Sequence, residues 1–160
     1  MVAKSSSAKH RVALKQELLA ECRRLQQQKV DTARQAMLDV QESANESQGA
    51  IEDKFESFRE ACQIQRDLYA RQLDEALSGL QVLQRLPDAH TPRNQPGLGS
   101  VVVTDSQTYY ISLSLGEVKV GGQTYCAISA FSPLYLAMAK TQVGETFSFR
   151  GKTHRIQEIL

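Results

Sequence analysis

Val40-Gln41-Glu42-Ser43-Ala44-Asn45-Glu46-Ser47-Gln48-Gly49-Ala50-Ile51-Glu52-Asp53-Lys54-Phe55-Glu56 is the stretch on which the fold turns. A helical apolar repeat runs into it. Asn45-Glu46-Ser47-Gln48-Gly49 then interrupts with residues that favour turns, and a second helical repeat leaves it. Two helices of similar length joined by so short a break form an antiparallel hairpin.

Reading back toward the N-terminus, Arg11–Ser43 contains neither Pro nor Gly and reads as one long helix. Val30, Ala33, Met37, Val40 and Ala44 recur at intervals of three and four, which makes a coiled-coil seam. Leu14, Leu18, Leu19, Cys22 and Leu25 continue it, and Gln26–Gln28 weaken its middle. Residues 1–9 read as a frayed polar tail. In the forward direction, Asp53–Leu86 forms the second helix. Phe55, Phe58, Cys62, Tyr69, Leu73, Ala76, Leu80 and Leu83 lie near one stripe, broadened by Leu77 and Leu86. Each helix of about 33 residues extends about 50 Å at 1.5 Å per residue.

Charge is separated along this hairpin. Residues 39–60 hold Asp39, Glu42, Glu46, Glu52, Asp53, Glu56 and Glu60 against Lys54 and Arg59, a net of −5. Residues 1–38 hold eight basic residues against Glu17, Glu21 and Asp31, a net of +5. The overall charge of +1 conceals an acidic tip and a basic base. The basic residues form either a solvated face or a surface for a partner. Asp53 and Glu56, three apart, share a helix face, and two carboxylates there suit a hard cation such as Mg²⁺, which often takes only one or two protein oxygens. The same pair also fits a helix N-terminus, where acids offset the dipole and cap free N–H groups.

Leu86-Pro87 ends the second helix, since proline disfavours helix in the residue before it. Residues 87–98 read as a linker between a hairpin domain of 1–86 and a C-terminal domain of 99–160. There the apolar period becomes two, and strands are expected at Ser100–Asp105, Gln107–Leu115, Glu117–Val120, Gln123–Ser129, Thr146–Arg150 and Thr153–Leu160. Gly121-Gly122 and Arg150-Gly151-Lys152 read as hairpin turns. Ser132 caps one short helix that starts at Pro133 and continues to Lys140. The fold class is therefore α+β: an antiparallel coiled-coil hairpin followed by an antiparallel sheet with one short helix.

Several function classes are excluded or disfavoured. A pI near 7.7 argues against simple coating of nucleic acid. Cys22, Cys62 and Cys126 are too few and too widely spaced for a disulfide framework, and they point to reduced thiols in a cytoplasmic protein. The first residues lack the apolar core of a secretory signal, and no apolar run reaches the roughly 20 residues of a membrane span. His10, His90 and His154 show no metal-ligand spacing, and Cys126 in its apolar strand reads as a small core residue, not as a nucleophile paired with His154.

Ser132-Pro133-Leu134-Tyr135-Leu136-Ala137-Met138-Ala139-Lys140, followed by Val143-Gly144-Glu145, resembles the signature of bacterial Gre transcript-cleavage factors, where it lies in an FKBP-like C-terminal domain behind a coiled-coil hairpin. Asp53-Lys54-Phe55-Glu56 resembles the Asp-x-x-Glu at the tip of that hairpin. The resemblance implies a transcription elongation factor that binds RNA polymerase, inserts its hairpin into the secondary channel and promotes cleavage of backtracked RNA. It implies that Asp53 and Glu56 assist the polymerase's own catalysis by sharing an Mg²⁺, so that the chain is an accessory factor and no enzyme itself. It further implies that Phe131, Ser132, Pro133 and Tyr135 contact the polymerase rim. A monomer is expected.

The chain departs from the family pattern in Glu52 and Ser57, which flank the acidic pair, in Glu60, and in Ala139 and Glu145 of the C-terminal motif. A non-cleaving modulator of the same channel therefore stands beside the cleavage factor as a reading. Outside this family the alternatives are a coiled-coil adaptor or chaperone, and a peptidyl-prolyl isomerase using an aromatic-lined pocket.

Overall fold

The computed structural model describes residues 2–46, 52–87 and 93–160, with side chains from Ser7 in the first segment and from Glu56 in the second. Helix α1 spans Val2–Glu46 and helix α2 spans Glu52–Gln84. The N-terminal tail expected to fray is helical from Val2. Residues 2–10 contain no Pro or Gly to stop a helix nucleated further along, and propagation is cheaper than nucleation. At the other end, α2 closes with a tighter bond from Arg85 N–H to the Val82 carbonyl (3.2 Å), two residues before Pro87. The chain divides into two compact units, Leu25–Gln81 and Met1–Arg24 with Val82–Leu160.

In the unit Leu25–Gln81 the two helices run antiparallel. Gln26 meets Ala76, while Val40 and Ala44 share a cavity wall with Arg59 and Cys62, so rising numbers on α1 meet falling numbers on α2. Val30, Ala33, Cys62 and Ala76 are buried along the seam. Gln26 is also buried, at 5 % exposure, and its Nε2 donates to the Ala76 carbonyl at 2.8 Å. The polar middle of the seam is thus satisfied from within the hairpin. Phe58 departs from the expected stripe: it is 41 % exposed, although Cys62, one turn later on the same face, is buried. On the outer face, Gln27 bonds Asp31 and Gln35 bonds Asp39 one turn apart, each at 2.9 Å.

The other unit contains a six-stranded sheet built from β1 (Val101–Thr104), β2 (Thr108–Ser112), β3 (Gly116–Val120), β4 (Gln123–Ser129), β5 (Thr146–Phe149) and β6 (Lys152–Ile159), in the order β3-β4-β2-β1-β6-β5. The sheet is antiparallel except for one pair: β2 and β4 run parallel, from Tyr109↔Cys126 to Ser112↔Ser129. Short connections reverse the chain at each step, so β2 and β4 point the same way. Because β3 sits outermost, β4 returns directly beside β2.

Both faces of the central strands are covered. On one, Val102, Tyr109, Ile111, Ile128, Phe147 and Ile156 pack against Met138 of α3 (Pro133–Met138). On the other, Cys22 of α1 lies with its Sγ 3.9 Å from the Ser112 hydroxyl of β2. Leu18 and Leu83, at 0 % and 1 % exposure, complete the helical part of this unit's core. Burial pushes the Cys22 thiol up to about 11 and raises the Tyr110 phenol as well. Lys15 is buried too, at 4 % exposure, so the basic residues of α1 are not uniformly solvated.

Candidate functional site

The two groups of residues singled out by sequence lie on different elements. Asp53 and Glu56 both fall in the opening turns of α2, directly after the segment that joins the helices. The two positions are three residues apart within one continuous helix. Glu56 is exposed; the side chain of Asp53 lies outside the described residues, as do those of Glu52 and Phe55. The antiparallel register that sets Gln26 beside Ala76 brings Glu46, at the end of α1, about level with Glu56. Glu42, Glu46, Glu56 and Glu60 are all exposed, so these four acids belong to the surface of the helix pair.

As a donor set this end offers hard carboxylate oxygens, which suits Mg²⁺ and not a soft metal. Among the described residues no group of three His, Cys, Asp or Glu side chains is arranged to hold an ion. Further along the same helix pair, a cavity of about 150 Å³ is lined by Val40, Ala44, Arg59, Cys62 and Arg66.

The second group sits at the start of α3. Ser132 caps the helix: its hydroxyl accepts from Tyr135 N–H at 3.2 Å, and Pro133 occupies the first turn, where a missing N–H costs nothing. The preceding turn is closed by Ser129, whose hydroxyl accepts from Phe131 N–H at 3.0 Å. Phe131 is thereby held out in solvent at 88 % exposure, and Pro133 is exposed beside it. Tyr135 is half-buried and packs on the core, so its share of any contact surface is partial. Leu136, 65 % exposed on the outer side of α3, belongs to this surface and was not singled out by sequence; its lack of a core partner is visible only once α3 is seated.

No thiol–imidazole pair exists in the sheet. Cys126 on β4 and His154 on β6 are three strand spacings apart, about 14 Å. Burial raises the Cys126 thiol, which keeps it protonated. His154 instead meets Ser106 (Nδ1 to Oγ, 3.0 Å) and rests against Phe147 with ring centroids 5.3 Å apart. Tyr109, Tyr110, Tyr125 and Phe147 are buried in the β unit, which leaves these rings unavailable as the walls of an isomerase pocket.

No family model matches the chain, and no curated protein matches it. Among solved structures it is similar to "Structure of the transcription factor Gfh1", with 18 % identity, 87 % of this chain and 93 % of that chain covered, and a TM-score of 0.35. It is also similar to the crystal structure of GreA factor homolog 1 (Gfh1) of Thermus thermophilus, with 19 % identity, 88 % and 95 % covered, and a TM-score of 0.36.

Proposed function

We propose that the chain is a Gre-like transcription elongation factor that docks on bacterial RNA polymerase and presents the acidic end of its helical hairpin to the polymerase's catalytic centre. The observation that carries this reading is the placement of Asp53 and Glu56 one turn apart at the start of α2, with Glu56 exposed and Glu46 about level with it on α1. The capped α3 start, with Phe131 and Pro133 exposed, supports a docking surface at that point of the β unit. No described helix is long and apolar enough to cross a membrane.

In this reading the polymerase performs the chemistry. An Mg²⁺ bound in its centre would supply Lewis-acid activation of water and neutralise phosphate charge. Asp53 and Glu56 would contribute oxygen ligands to that ion and accept hydrogen bonds from a water, with the helix setting the spacing of the two positions. Ser132 sets the start of α3 so that Phe131 and Pro133 face the partner, while Tyr135 supports them from the core.

The test is a transcript-cleavage assay on stalled, backtracked complexes with Mg²⁺. Wild type is expected to shorten the RNA, while Asp53→Asn and Glu56→Gln bind without doing so. Binding without cleavage by the wild type itself assigns the non-cleaving role that Glu52 and Ser57 leave open. Absence of any association at micromolar concentration removes the polymerase reading.

A further inference from the structure

On α2, Arg59, Cys62, Gln63 and Arg66 recur at the three- and four-residue intervals that share one edge of a helix. Cys62 turns into the seam, while Arg59, Gln63 and Arg66 are exposed along its border. Across from them α1 presents Val40, Gln41 and Ala44. Ala44 and Cys62 are small where larger seam residues would meet, and these seven side chains enclose the cavity of about 150 Å³. A single ordered water needs only about 10–15 Å³, so the space admits a ligand of several atoms. The cavity and its lining fall entirely within the unit Leu25–Gln81.

The lining is one-sided in charge. Its ionised groups are the Arg59 and Arg66 guanidiniums, and no described carboxylate lines it. Neither arginine forms an ion pair with a described acid. Glu60 and Asp67 each follow one of them by a single residue and so project about 100° further around the helix. Gln41 spends one N–H on Asn45, at 3.3 Å, and keeps the other. Seven residues set the two arginines about 10.5 Å apart along the axis, and each offers a planar fork that meets two oxygens of one anionic group.

We propose that this cavity binds a small anion with two phosphoryl groups, either inorganic diphosphate or the diphosphate of a nucleotide, with one phosphoryl on each guanidinium. A single phosphate occupies one fork and leaves the other unpaired. A dicarboxylate reaches both forks but spends its two oxygens per group there, which leaves the Gln41 and Gln63 amides without an acceptor. A terminal phosphoryl carries a third oxygen for them. The bound anion bridges α1 and α2 and covers the Cys62 thiol. The inference concerns the isolated chain and stands independently of the polymerase reading.

The test is calorimetric titration of the full chain with inorganic diphosphate, a nucleoside diphosphate, inorganic phosphate and succinate. Mg²⁺-free buffer keeps the acids at the start of α2 from recruiting an anion through a cation. At least one diphosphate ligand is expected to bind about tenfold more tightly than phosphate or succinate, and which of the two does so identifies the source. Arg59→Gln and Arg66→Gln, which keep a good helix former at exposed positions, are each expected to weaken binding about tenfold. Arg71→Gln, exposed on α2 outside the lining, is expected to bind as wild type does. Alkylation of Cys62 by iodoacetamide, followed by mass spectrometry, should slow about elevenfold at ten times the dissociation constant. Failure of both diphosphates to bind, an equal loss in Arg71→Gln, or an unprotected Cys62 overturns the inference. Phosphate or succinate binding as tightly overturns it also. All of these results leave the polymerase reading standing.

Discussion

The side-chain amide of Gln26 donates to the Ala76 backbone carbonyl at 2.8 Å, tying α1 to α2 in the middle of a seam that is otherwise apolar. A buried amide of this kind costs desolvation and returns one hydrogen bond, so its net contribution is small while its geometric demand is strict. Gln26→Ala is expected to destabilise the protein by about 1–2 kcal/mol through lost packing and the lost bond, whereas Gln26→Leu, which fills the same space without a polar group, stays within about 0.5 kcal/mol of wild type. Urea titrations of the three proteins check this. A Gln26→Leu variant as unstable as Gln26→Ala would show that the hydrogen bond carries more than its packing.

Core positions differ sharply along the helices. Leu18 and Leu83 are sealed, while Phe58 is 41 % exposed despite lying on the same apolar repeat. Leu18→Ala or Leu83→Ala is expected to cost about 3–5 kcal/mol, and Phe58→Ala less than about 1 kcal/mol. Thermal melts rank them, and a Phe58→Ala penalty equal to that of Leu18→Ala contradicts the burial assigned here.

Cys22 makes stability pH-dependent on the alkaline side. Its thiol pKa is raised by burial from 9.0 to about 11, so the folded state holds its proton longer than the unfolded chain does. The stabilisation from the neutral buried thiol is complete below about pH 9 and is lost as pH rises toward 11, an effect on the order of 2 kcal/mol. Relative to Cys22→Ala, the wild type should lose stability over that window, as read from chemical denaturation at each pH. Parallel curves for the two proteins rule the thiol out as the source.

The cap on α3 has its own signature. Replacing Ser132 with Ala removes the acceptor for Tyr135 N–H and is expected to cost about 1 kcal/mol, while Asp or Asn at this position restores it. Hydrogen exchange at the Tyr135 amide should quicken in Ser132→Ala alone. Unchanged exchange would place the protection elsewhere.

Much of this architecture is legible from residue spacing. The interruption at Asn45–Gly49, the change of period after Pro87, the Gly121-Gly122 turn and the Ser132-Pro133 helix start are local signals set by backbone preferences, and each lands where the chain changes element. The Asn45–Gly49 interruption itself extends beyond the described residues after Glu46. What spacing does not reveal is long-range. The parallel β2–β4 pair depends on which strand takes the edge. The burial of Gln26 and Lys15 depends on what packs across from them, and a run of glutamines looks solvent-facing until Ala76 supplies an acceptor. Within the candidate site, the three-residue spacing of Asp53 and Glu56 is legible in the sequence, whereas Leu136 emerges only from its exposure.

The central claim is that the acidic end of the hairpin reaches the polymerase's catalytic centre. A photoreactive amino acid at Glu56, exposed and in the opening turns of α2, tests this directly. Irradiated with stalled bacterial transcription complexes, it is expected to crosslink to peptides lining the catalytic centre or to the 3′ end of the RNA. Crosslinks confined to the polymerase exterior, or only to a second copy of this chain, would contradict the account.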